Sequence, residues 1–297
     1  MTEPASLALR VARPDGQPAP DGWVRVRLDA PPPGMFVSTD FPVVEGTKLL
    51  EMRVPVINGK AEWWQVFPIR GEYRLAAEFE STAGSKTIKV FEFDVYESYW
   101  KWLVFGAFTS GLFFAGIIAG RIFSAPREEK RSQIGPVLLF VLICCGASGE
   151  NASAGEAPAP SYGANLEIAS ATVGMPATIH WRLDPVGVVD KPAAKLTVTI
   201  TQLEKNLSVF ILENIPVAGE FAFDYQFTDG SDHRVTAIAK TDYGATVSQE
   251  QIVSVNAVPP PLPAKLKATL LFLAVIGAGL GLGRWSRGVS GGGEPNP

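Results

Sequence analysis

The chain contains two histidines, His180 and His233, and four methionines, one of them Met175. Imidazole and thioether are borderline and soft donors that suit copper, so Met175, His180 and His233 form a candidate metal-ligand set. His180 shares a strand face with Arg182, opposite the apolar stripe Ile179, Trp181 and Leu183, which predicts a surface histidine. His233 follows Ser231 and Asp232 in a polar run that reads as a turn. Asp229, Ser231, Asp232 and His233 also carry the residue types of a hydrolytic relay. Catalysis would need a nucleophile elbow such as G-x-S-x-G, which is missing, and neighbours along one turn rarely reach relay geometry. The expectation is therefore a protein that is not an enzyme and holds no cofactor.

A second group of residues has packing chemistry. Gly116 with Gly120, Gly277 with Gly281, and Gly279 with Gly283 each show the G-x-x-x-G spacing inside an apolar run. Where lipid removes the hydrophobic drive, such glycines let helix backbones approach closely. A nucleotide-loop reading of Gly277, Gly279, Gly281 and Gly283 would need a preceding strand, and none precedes them. Trp63 and Trp64 are adjacent on a strand, so one faces the core and the other faces out, where it offers a contact surface beside the Pro-rich loops.

These residues must be placed by strands and membrane helices. In Trp23–Leu28 the residues Val24, Val26 and Leu28 alternate with Arg25 and Arg27, and Asn58-Gly59 lies between two β-prone runs as a hairpin turn does. Residues 1–97 thus read as a β-sandwich domain, and 164–257 as a second one, with Leu196, Val198 and Ile200 alternating with threonines. Residues 98–121 read as a membrane helix with Tyr99, Trp100 and Trp102 at its start. At 1.5 Å per residue about 22 residues reach about 33 Å, enough to span a bilayer.

A basic loop, 122–133, leads to the short apolar segment 134–149, which holds the adjacent Cys144 and Cys145. This segment is either a short spanning helix or an internal signal-like segment, because Ala152-Ser153-Ala154 follows it as a cleavage site would. A linker, 150–163, then enters the second sandwich. Pro259-Pro260-Pro261 stiffens the approach to a last membrane helix, 264–284, and a tail, 285–297. The fold class is all-β, immunoglobulin-like sandwich domains in two copies, plus transmembrane α-helices.

Pro68-Ile69-Arg70-Gly71-Glu72-Tyr73 matches Pro216-Val217-Ala218-Gly219-Glu220-Phe221 at identical spacing, each upstream of a membrane helix. That suggests duplication of domain and anchor together. The Pro-x-x-Gly-Glu-Tyr/Phe turn, Phe227-Thr228-Asp229-Gly230 and His233-Arg234-Val235, with the anchored sandwich, resemble YtkA-like or FixH-like periplasmic modules over roughly 90 residues per copy. The resemblance implies association with respiratory-oxidase or copper-related membrane systems. The chain lacks the Met/His richness of copper-handling members.

Charge narrows the partners. Residues 1–97 carry 11 Lys/Arg against 14 Asp/Glu, and 155–257 carry 6 against 12, nets of −3 and −6 that argue against nucleic acid. Arg121, Arg127, Lys130 and Arg131 with Arg284 and Arg287 outnumber Lys101, Lys265 and Lys267, which puts loop and tail in the cytoplasm and both β-domains in the periplasm. No signal-like segment precedes residue 7, so the first helix must act as a reverse anchor or the start must lie upstream. Failing both, the first domain is cytoplasmic.

The expectation is a multi-pass protein of a bacterial inner membrane, an accessory subunit whose partners are the lipid bilayer and other integral membrane subunits. The alternatives are a copper chaperone for oxidase assembly, with copper the weaker partner expectation, and a stand-alone ligand-binding or adhesion receptor.

Overall fold

The computed structural model describes residues 4–13, 15–19, 21–34, 39–82, 84–96, 98–123, 163–184 and 193–290. The loop 122–133 beyond Phe123, the segment 134–149, the linker short of Gly163 and the tail beyond Ser290 lie outside the described residues. So do the readings of a third membrane segment and of an internal signal.

Six strands make the first half: β1 (Ala5–Arg10), β2 (Gly22–Asp29), β3 (Lys48–Val56), β4 (Lys60–Gln65), β5 (Gly71–Ser81) and β6 (Lys86–Val95). Helix α1 (Tyr99–Phe123) follows. Seven strands make the second half: β7 (Gly163–Ile168), β8 (Pro176–Asp184), β9 (Ala193–Gln202), β10 (Leu207–Ala218), β11 (Glu220–Gln226), β12 (Asp232–Thr241) and β13 (Thr246–Ser254). Helix α2 (Leu262–Ser290) closes the chain's described part. The alternation in β2 decides its burial: Val24, Val26 and Leu28 are inside, while Arg25 and Arg27 face out onto Glu51 and Asp29.

The strands form two sheets that both run through both halves. One has the order β1-β4-β10-β9-β12-β13, the other β6-β5-β2-β3-β11-β8-β7. In place of two sandwiches on a string, the halves share sheets and one buried apolar cluster. The seams are short: Phe210 and Ile211 of β10 pair with Gln65 and Trp64, and Phe223, Asp224 and Tyr225 of β11 pair with Met52, Glu51 and Leu50. Alternation specifies which face of a strand is buried but not which strand lies beside it, so the sequence could not show this sharing. Joining the halves also covers strand edges that separate domains would leave unpaired.

Phe210 stacks on Phe223 at 5.4 Å and lies 5.5 Å from Tyr225, so aromatic packing sits directly at the seams. On the outer face Lys48 of β3 bonds both Glu51 (2.7 Å) and Asp224 of β11 (2.8 Å). The hydrogen bond from Lys48 holds each of these carboxyls below its ordinary range, against a partial desolvation.

The Asn58-Gly59 turn forms as a two-residue hairpin with φ of 51° and 72°, but its arms then part into opposite sheets. Ile57 and Lys60 bridge across it, and beyond them the turn is a corner between layers.

Strand orders of the halves correspond with the sheets exchanged. β3-β2-β5-β6 matches β10-β9-β12-β13, and β1-β4 matches β8-β11. Under this correspondence the two Pro-x-x-Gly-Glu motifs are not equivalent, because one joins β4 to β5 and the other joins β10 to β11. The counterpart of the Phe67–Tyr73 corner is Phe227–His233, six residues apart in both cases. The ring pairs are edge-on at 4.9 and 5.0 Å. The motifs look alike because each of these two crossings places a glycine at positive φ, Gly71 and Gly219, two residues before an aromatic of the next strand.

Tyr73 donates its hydroxyl to the Ile69 carbonyl (2.7 Å) and accepts from the Ile69 amide (3.2 Å), with burial pushing the phenol well above its ordinary pKa. Tyr73→Phe strands both backbone groups. It is expected to lower stability by about 1–3 kcal/mol in urea titration of the full chain, with no change in secondary structure by circular dichroism.

Among the described residues two helices are long and apolar enough to cross a membrane, both with a mean hydropathy of 1.9. The chain divides into two compact units. One comprises 1–107 with 160–272, and the other 108–159 with 273–297.

Candidate functional site

The three candidate ligands fall apart. Met175, in the turn before β8, is 64% exposed. His180 is partly buried in β8 of one sheet, its backbone paired between Ala222 and Glu167. His233 belongs to the other sheet and is 2% exposed. The turn reading of His233 is corrected by this: Asp229–Ser231 make the turn, β12 begins at Asp232, and His233 is its first inward residue. Among the described residues no cluster of three or more His, Cys, Asp or Glu is placed to hold a metal.

Around His233 the polar residues form a closed corner. Gln202 donates through Nε2 to Asp229 Oδ2 (2.5 Å) and Ser231 Oγ (3.2 Å), and the Ser231 hydroxyl donates to Asp229 Oδ1. His233 Nδ1 donates to the Ser231 carbonyl at 3.0 Å, since a carbonyl only accepts. Nε2 lies 3.7 Å from Asp229 Oδ1. The serine proton thus serves the carboxylate rather than the imidazole, which is the reverse of a nucleophile's arrangement. The corner holds the β11–β12 crossing, as Tyr73 holds that between β4 and β5.

Burial lowers the His233 pKa, while the Ser231 carbonyl, Asp229, Asp232 and Glu204 pull it upward. The folded state therefore resists a proton that the unfolded chain takes up at about pH 6.5. Below that pH the unfolded state binds more protons, so this contribution to stability is complete above about 6.5 and falls as pH drops toward the folded value. The urea midpoint should fall between pH 7.5 and 5.5 in the native chain, and by clearly less in His233→Gln.

Trp63 is 1% exposed and buried in the core, so it is removed from the possible contact surface. Trp64, 37% exposed, faces out beside Ile211 at the seam.

The glycines divide into two sets. A Cβ on Gly116 would lie 2.8 Å from the Ile276 carbonyl, and one on Gly120 would collide with that of Leu280. Cβ atoms on Gly279 and Gly283 would collide with the carbonyls of Phe113 and Ile117. These four therefore bring α1 and α2 of the same chain into backbone contact, aided by Arg121 Nε donating to Ser286 Oγ at 3.2 Å. Gly277 and Gly281 have nothing within 4 Å and take no part. Two interleaved G-x-x-x-G pairs on α2 look identical in sequence; only the rotation of the helix distinguishes them.

The first turns of both helices carry polar ties to the β-unit. Arg70 lies 4.6 Å over the ring of Trp102, Lys101 reaches Asp40 at 3.2 Å, and Lys267 donates to the Gly34 carbonyl at 3.0 Å. Sequence inspection missed these ties because their partners are 32 to 233 residues apart, a range no local pattern encodes.

Comparison with family models and with curated proteins finds no match. Among solved structures the chain is similar to a cohesin module of a family 33 glycoside hydrolase from Clostridium perfringens ATCC13124. That match has 11% identity, 33% of this chain, 98% of that one and a TM-score of 0.22. It is also similar to a conjugative transposon lipoprotein from Bacteroides eggerthii DSM 20697 (13%, 31% and 98%, TM-score 0.22). The fibronectin(III)-like modules of Clostridium thermocellum CbhA match more of the chain, at 9% identity, 89% and 88% coverage and a TM-score of 0.22. Scores this low carry no argument about function, and the sandwich architecture rests on the chain's own strand order.

Proposed function

We propose that this chain is a non-catalytic accessory subunit of a multisubunit bacterial inner-membrane complex, with its β-halves in the periplasm docking partner components. The observation that carries the reading is the divided glycine set. Gly116, Gly120, Gly279 and Gly283 assemble a two-helix anchor within the chain, while Gly277 and Gly281 leave a second close-approach face on α2. The reading is also supported by the corner around His233, whose residues bond to one another and present no nucleophile. The shared sheets fit an internal duplication of sandwich and helix, with the halves related by exchange of sheets.

Two experiments test this. Impermeant thiol labelling of a cysteine introduced at the exposed Tyr243 should occur in intact cells if the β-unit is periplasmic; labelling only after lysis reverses the orientation. Gly277→Leu should release co-purifying membrane subunits while the chain itself stays folded and inserted. Retention of every partner by that variant contradicts the use of this face.

A further inference from the structure

The correspondence between the halves leaves one strand unmatched. In the second half β7 pairs antiparallel with β8 and packs against β13, closing that end of the sandwich. In the first half β1 takes the place of β8, and nothing among the described residues takes the place of β7. The effect shows at equivalent positions on the last strands. Tyr73 pairs with Phe93 as His233 pairs with Val253, so Phe91 matches Gln251. Val253 is 7% exposed and Gln251 is half-buried, whereas Phe91 is 42% exposed although it points inward beside Leu75. A groove of about 430 Å³ opens there, with Leu9, Val11, Phe79 and Phe91 on its walls and Arg10, Arg13 and Lys89 also lining it. None of its lining residues is a carboxylate.

We propose that this groove accepts a β-strand from a partner polypeptide, added antiparallel along β1 as β7 is added along β8. The occupant's chemistry follows from its surroundings. Alternate apolar side chains, spaced like Ala164, Leu166 and Ile168 of β7, fill the groove, and acidic residues between them meet Arg10 on the outer face of β1. Main-chain hydrogen bonds to the open edge of β1 supply affinity, and the alternate side chains supply specificity. The proposal deepens the accessory-subunit reading and rests on it for the partner, but not for the groove.

The test uses the full chain in detergent and a synthetic peptide copying residues 163–169 with aspartate in place of Asn165. Peptide binding should slow amide exchange in Ala5–Arg10 by about tenfold or more. The slowing should weaken with added salt. Phe91→Asp, at a half-exposed position, should abolish the protection, and Ile252→Asp on the outer face of β13 should not. Absence of protection at saturating peptide, or protection indifferent to Phe91→Asp, overturns the proposal. So does a peptide-free protein that already protects β1 as a dimer, which would make the occupant a second copy. Partners that co-elute with a chain that ignores the peptide sink the groove alone. A chain that binds the peptide yet purifies without partners sinks the subunit reading alone.

Discussion

Replacing Gly283 by leucine is expected to separate the paired helices. The position meets the Ile117 backbone directly, so no rearrangement of a flexible side chain can make room. Overpacking of a close contact costs about 1–3 kcal/mol, and here it acts on backbone at the point of nearest approach. Spin labels at the exposed Ile122 and Trp285 should give a single short distance in the native chain. In Gly283→Leu they should give a longer, broader distribution, while Gly281→Leu should reproduce the native one. Both variants add the same side chain to the same helix, so the contrast isolates the contact from general effects on insertion. An unchanged distance in Gly283→Leu would show that α1 and α2 are not held together by their glycines.

The second large effect concerns the seam. Phe210→Ala is expected to destabilise the β-unit by about 3–5 kcal/mol, because it empties a fully buried aromatic site against Phe223 and Tyr225. The manner of unfolding is as informative as the size. Trp63 reports on the first half and Trp181 on the second, and both are buried in the shared cluster. In two variants that each keep one of these as the sole buried tryptophan, with Phe210 retained, urea transitions should coincide, and adding Phe210→Ala should shift both to the same lower midpoint. Two separate transitions, only one of them moved by Phe210→Ala, would mean that the halves fold as independent domains.

How much of this was legible in the sequence depends on the range of the interaction. Val24, Val26 and Leu28 announce their burial through a period of two, and Asn58-Gly59 announces a tight turn through its tolerance of positive φ. The apolar runs 98–121 and 264–284 announce helices that can cross a membrane by length and apolarity, and the helices found, Tyr99–Phe123 and Leu262–Ser290, contain nearly all of both. The assignment of neighbours was not legible. Phe210 beside Gln65 and Asp224 beside Glu51 are pairings across more than 140 residues, and alternation is blind to them. The apparent repeat misled for a related reason. Pro68–Tyr73 and Pro216–Phe221 record the local demands of a layer crossing, whereas the true counterparts, Tyr73 and His233, share a position without sharing a residue type.

His233 shows the same limit at the candidate site. A polar run marks the turn at Asp229–Ser231 correctly, but the residue where the chain becomes strand, and so turns its side chain inward, is set by pairing with Gln202 and Val253. Once inside, the imidazole is cut off from His180 on the outer face of the other sheet. Its plausible chemistry becomes structural.

The measurement that tests the central claim most directly is purification of the tagged native protein from membranes in mild detergent, with mass spectrometry of co-eluting chains and metal analysis of the same sample. An accessory subunit predicts stoichiometric integral-membrane partners and no stoichiometric copper. A chain that elutes alone and carries copper would contradict the account and favour a metal chaperone.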